Sequence, residues 1–175
     1  AGRTSEAGMA LSEDRILTDE IHPIDIVETL AEHRAWEFDR VADDQIAMAV
    51  QGQWRSYSLT LAWSGGDETL RLICTFEMEP PESRRPALLE LLNLVNDQGW
   101  CGGFGLWSDQ GLMVWRYGLL LSGGQVAASE QIDTMIRAAV AACERYYPAF
   151  QLVAWGDRSP PEALQMAIAP GWGRA

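Results

Sequence analysis

Apolar residues along this chain recur at helical spacing in some stretches and at every second position in others, and the switches mark its elements. Residues 1–20 show neither period. They are small, polar and acidic around Leu11, Ile16 and Leu17, which predicts a flexible N-terminal arm. The first eight residues precede Met9, a candidate natural start, and are left out of the functional reading. From His22 the spacing turns helical: Ile26, Val27 and Leu30 share a face while Asp25, Glu28, Glu32 and Arg34 fall elsewhere, predicting an amphipathic helix that ends near Ala35. Residues 36–41, 45–50, 57–63 and 70–78 then read as strands. They are broken by Ala42-Asp43-Asp44, by Gly52 and by Ser64-Gly65-Gly66-Asp67, so they predict an antiparallel meander with one buried face.

Pro80 and Pro81 close the last of these strands, because proline cannot donate to a ladder, and a second helix is predicted over 82–97. Its apolar set, Leu88, Leu89, Leu91, Leu92, Leu94 and Val95, covers roughly 220° of the wheel, more than a helix on one sheet needs. Part of it is therefore expected to face a second subunit or partner. Residues 99–107 and 112–121 predict a hairpin around Ser108-Asp109-Gln110-Gly111. Ser129 is the expected cap of a long helix through Ile132, Ile136, Ala139, Val140, Cys143 and Tyr147, which Pro148 should bend or stop. Ser159-Pro160-Pro161-Glu162 reads as a capping box that starts a last helix through Ile168. The order α-βββ(β)-α-ββ-α-α predicts an α+β fold, an antiparallel curved sheet with helices packed on one face. Residues 21–170 are expected to form a single domain and 171–175 a tail.

Charge changes the functional picture more than length does. Thirteen basic against twenty-five acidic side chains leave a net charge of -12, which disfavours nucleic acid and anionic membranes as partners. All the basic residues are Arg and none is Lys, which removes Schiff-base, phosphate-loop and general-base lysines at one stroke. Without a secretory pattern at the start or an apolar run of roughly 20 residues, the expected location is the cytoplasm. Cys74, Cys101 and Cys143 are widely spaced among apolar neighbours and read as reduced, packed thiols.

No catalytic or metal constellation emerges. His22 and His33 stand at the two ends of one helix, about 16 Å apart, too far to share an ion. No serine sits in a nucleophile elbow, and Ser64, Ser108 and Ser122 suit turns. Cys101 has no cationic neighbour in sequence to lower its pKa and reads as inert. Gly99, Gly102, Gly103 and Gly105 lack the spacing and lysine of a phosphate loop, and point instead to a bulge or a close backbone approach. Glu77 and Glu79 would share a strand face about 7 Å apart, which is ordinary for solvated carboxylates. No cofactor or metal is expected. The eight tryptophans, at 36, 54, 63, 100, 107, 115, 155 and 172, exceed what one small core holds. Exposed Trp beside Arg is the usual composition of a binding hot spot, which singles out Trp54 and Arg55.

Several stretches together resemble one bacterial family: Leu70-Arg71-Leu72, Pro81-Glu82-Ser83-Arg84-Arg85, Leu91-Leu92-Asn93-Leu94-Val95-Asn96, Glu144-Arg145-Tyr146-Tyr147-Pro148-Ala149-Phe150 and Val153-Ala154-Trp155-Gly156. This is the YbjN family of sensory-transduction regulators, and the likeness covers about residues 22–169. It implies a fold like that of type III secretion chaperones, often dimeric, and supplies no catalytic residues. The resulting reading is a non-enzymatic regulatory or chaperone-like homodimer that binds another protein or peptide, with Leu89, Leu94, Trp54 and Arg55 as the expected surface. The alternative is a small-molecule sensor whose concave sheet encloses a ligand.

Overall fold

A computed structural model describes residues 21–169; the predicted arm and tail lie outside them. Helix α1 (Pro23–His33) starts where the sequence places it: the His22 Nδ1 accepts from the Ile24 N–H at 3.1 Å, and Pro23, which has no N–H to leave orphaned, begins the first turn. The helix closes at Ala35, whose φ of 56° is left-handed, while the Trp36 N–H reaches back to the Ala31 carbonyl at 3.0 Å.

Strands β1 (Glu37–Ala42), β2 (Gln45–Gln51), β3 (Ser56–Ser64) and β4 (Thr69–Glu77) form the meander, and β5 (Gly103–Trp107) and β6 (Leu112–Leu120) the hairpin. Every pairing is antiparallel, and the order is β1-β2-β3-β4-β6-β5, so the hairpin joins the meander through β6 and leaves β5 at the edge. The register sets two faces. Ile46, Leu59, Leu61, Leu70, Leu72, Cys74, Met113 and Trp115 line one and are buried. Ser58, Thr60, Ala62, Arg71, Ile73, Val114 and Arg116 occupy the other, opposite to the face on which the described helices pack.

Helices α2 (Arg85–Asn96), α3 (Ser129–Ala154) and α4 (Pro160–Ile168) complete the fold. Helix α3 has 26 residues, about 39 Å at 1.5 Å rise, and spans the buried face. Of the bend or stop expected at Pro148, the stop is corrected here: the helix runs through Pro148 to Ala154. The lost hydrogen bond is offset by burial beyond it, where Ala149, Phe150, Val153 and Ala154 are at most 1% exposed. Its cap is corrected too. Ala128 is the N-cap and Ser129 the first helical residue, and the Gln131 Oε1 accepts from the Ala128 N–H at 2.8 Å. Ser159 caps α4 as expected, accepting from the Glu162 N–H.

The wide apolar arc of α2 has a structural account. Leu88, Leu91, Leu92 and Val95 are buried, Ala87 and Leu94 pack half-buried against them, and α3, α4 and β5 touch the helix on its several sides. The strand predicted from residue 99 begins only at Gly103, because 99–102 form the loop into β5 and Gly102 turns there at φ 69°. Its missing side chain lets the Trp115 ring lie against the backbone, where a Cβ would sit 2.1 Å from the ring.

Candidate functional site

Of the residues expected to form a partner surface, Trp54 is 47% exposed at the turn between β2 and β3, and Leu89 is 47% exposed on α2. Leu94 is half-buried against the core instead. Arg55 lies with its guanidinium carbon 5.7 Å from the Phe76 ring centre and 5.8 Å from that of Tyr147, so its charge is directed inward as a cation–π contact. Its Nε is buried without a hydrogen-bond partner. Glu144 of α3 ties this turn down: its Oε1 accepts from the Tyr57 hydroxyl at 2.7 Å and from the Trp54 N–H at 3.2 Å. Burial, reinforced by the Glu144 carboxylate, pushes the Tyr57 phenol well above its ordinary value. Gly52 makes room, since a Cβ there would lie 2.1 Å from the Glu144 oxygen. These four residues thus sit on two separate elements, the β2–β3 turn and α2.

Tryptophan exposure extends further. Trp100, in the loop before β5, is fully exposed, and Trp155, at the end of α3, is 50% exposed. Cys101 stands beside Trp100 and is exposed, a correction to its expected packing: it lies in the exposed loop before β5, whereas Cys74 and Cys143 lie in the core. Those two thiols lie 3.7 Å apart, and the hydrogen bond to Cys74, together with burial, raises Cys143 far above the ordinary thiol range. The histidines fall at the ends of α1, where His22 caps the helix edge-on to Trp63 and His33 is exposed. Among the described residues no three His, Cys, Asp or Glu side chains gather as a metal site would require.

A cleft of about 660 Å³ on the sheet face opposite the helices escaped the sequence reading. Thr69, Arg71 and Ile73 of β4, Arg116 and Gly118 of β6, and Trp107 of β5 all line it. The register explains why: Arg116 pairs with Ile73 on one side and Gly103 on the other, while Arg71 pairs with Gly118, so the two arginines are diagonal neighbours on one face. Gly103 and Gly118 also line the cleft and add no side chain to its floor; Gly105 follows on the same face of β5, beside Val114. Arg71 pairs with Asp67 at 2.9 Å across an exposed turn. The period-two run of glycines, outward on an otherwise ordinary strand, was the signal present in the sequence.

The edge beside the cleft is closed. The Asn96 Oδ1 accepts from the Phe104 N–H at 2.7 Å, and its Nδ2 donates to the Phe104 carbonyl at 3.0 Å, so one amide occupies the place of a further strand.

Residues 23–152 match the profile of the YbjN family, described as "Putative bacterial sensory transduction regulator". Among solved structures, the chain is similar to the one titled "Crystal structure of YbjN, a putative transcription regulator from E. coli", with a TM-score of 0.51 and 12% identity over 77% of this chain and 90% of that one. That likeness concerns the fold. No curated protein matches the chain.

Proposed function

Given that this chain belongs to the YbjN family, we propose that it is a non-enzymatic regulatory or chaperone-like protein that works as a homodimer and binds a segment of another protein. The observation that carries this reading is the exposure of Trp54, Trp100, Trp155 and Leu89. Large apolar side chains left in water are costly in isolation and become the anchors of an interface once a partner covers them.

A second reading, a ligand sensor, is favoured by the cleft on the sheet face opposite the helices, whose volume falls in the range of small-molecule sites. Native mass spectrometry of untagged protein from its own host separates the two. A dimer carrying a protein at fixed stoichiometry, released by Trp54→Ala or Leu89→Ala without loss of melting temperature, is the expected result. An empty monomer that no added extract converts would overturn it.

A further inference from the structure

Two arginines on the sheet face opposite the helices, an outward tryptophan and a floor of glycines are arranged as a recognition site. We propose that the cleft between β4, β6 and β5 binds a small aromatic carboxylate, its anion held by Arg116 with help from Arg71 and its ring lying over the glycine strip against Trp107. The inference deepens the sensor reading and rests on it.

Charge makes the first part of the case. In a chain of net charge -12, a site for an anion needs a local excess of cations. Most described arginines are already engaged: Arg34 and Arg137 on Asp133, Arg40 on Asp25 and Glu28, Arg84 on Asp157 and two carbonyls, Arg158 on Glu162, and Arg55 and Arg145 over aromatic rings. The side chain of Arg116 has no such partner among the described residues, is exposed, and belongs to a residue that lines the cleft. A guanidinium can grip a carboxylate through two parallel N–H donors, so a free fork on a concave surface fits that group in particular. Arg71 is held only by the exposed Asp67, a pair weak enough to open when an anion arrives.

Shape makes the second part. Along β5 the outward positions are Gly103, Gly105 and Trp107, and a Cβ on Gly105 would meet nothing within 4 Å. A flat body can therefore lie on the backbone at Gly103 beside Arg116, with Val114 and the Trp107 indole further along the same face. Ile73, opposite Arg116 in the register, offers an apolar wall. The volume of about 660 Å³ exceeds that of a single ring with its carboxylate. Indole-3-acetate and benzoate are thus the probes of choice, and AMP tests whether a phosphate serves as well.

The experiment is a titration of the full chain, followed by amide NMR shifts at Gly103, Gly118 and Arg116 and by calorimetry. Both carboxylates should bind and shift those amides, while indole and benzamide, which lack the anion, should bind at least about tenfold more weakly. Arg116→Gln should lose at least about tenfold in affinity with an unchanged melting temperature. Gly103→Val, which puts a side chain on the cleft floor where a Cβ meets only ordinary contact with Asn96, should block binding while leaving the melting temperature unchanged. Binding of AMP alone, binding indifferent to Arg116→Gln, or no shift from any probe up to 10 mM, a level weaker than typical metabolite sites, would each overturn the proposal. Carboxylate binding that leaves partner capture and oligomeric state unchanged would keep the site and discard the sensor reading.

Discussion

Ala35 holds a left-handed φ of 56° that an L-residue adopts at a cost of roughly 1–2 kcal/mol, and it does so because the end of α1 needs that geometry to turn into β1. Ala35→Gly removes the penalty but gives back some unfolded-state entropy, so a net gain of about 0.5–1 kcal/mol is expected. A shift in urea midpoint checks it. Titration acts at the same scale. Cys143 and Tyr57 both keep their protons in the folded protein to higher pH than in an unfolded chain, where they titrate near 8.5 and 10. The stability they lend is therefore intact below about pH 8 and declines as pH rises, by about 1.4 kcal/mol per unit for the buried thiol alone. Urea midpoints at pH 8 and pH 10.5 should differ accordingly, and Cys143→Ala should flatten the slope between them.

Among the elements, β5 is an edge strand whose outer side is met by a single side chain at Phe104. Asn96 occupies the outer hydrogen-bonding positions of Phe104, and Asn96→Ala would leave that N–H and carbonyl open. The expected loss is about 1–3 kcal/mol of stability, together with concentration-dependent association through the freed edge, visible by light scattering. A monomer at every concentration would show that the short strand protects itself. Element types were legible from period alone: the six strands and the helices follow the alternation and the helical spacing within a few residues. The end of α3 was not. A proline read locally stops a helix, whereas here the residues after Pro148 enter the core and hold it helical. Leu94 likewise looked free on a helical wheel that cannot show α4 closing over α2.

Taken whole, the molecule is strongly acidic, and its ion pairs lie mostly at the surface. Self-repulsion should outweigh those pairs, so added sodium chloride should raise the melting temperature by a few degrees as screening grows. A fall on adding salt would assign the larger share to the pairs, with the Asp133 cluster of Arg34 and Arg137 the first to examine. At this scale no helix among the described residues is long and apolar enough to cross a membrane.

The sequence by itself determined what local chemistry controls: the periods of the elements, the cap at Ser159, the turns, the negative charge and the absence of lysine. Its motif stretches also identified the family, because runs such as Leu91 to Asn96 carry packing and edge protection in one segment. Tertiary structure decided what depends on strand order. Arg71 and Arg116 are 45 residues apart in the chain and become neighbours only because β6 inserts beside β4. The same order turns the glycines of β5 away from the helices and makes Gly103, with Gly118 of β6, part of the floor of a cleft. Burial and adjacency arise from the whole packing, and no stretch of sequence carries them alone.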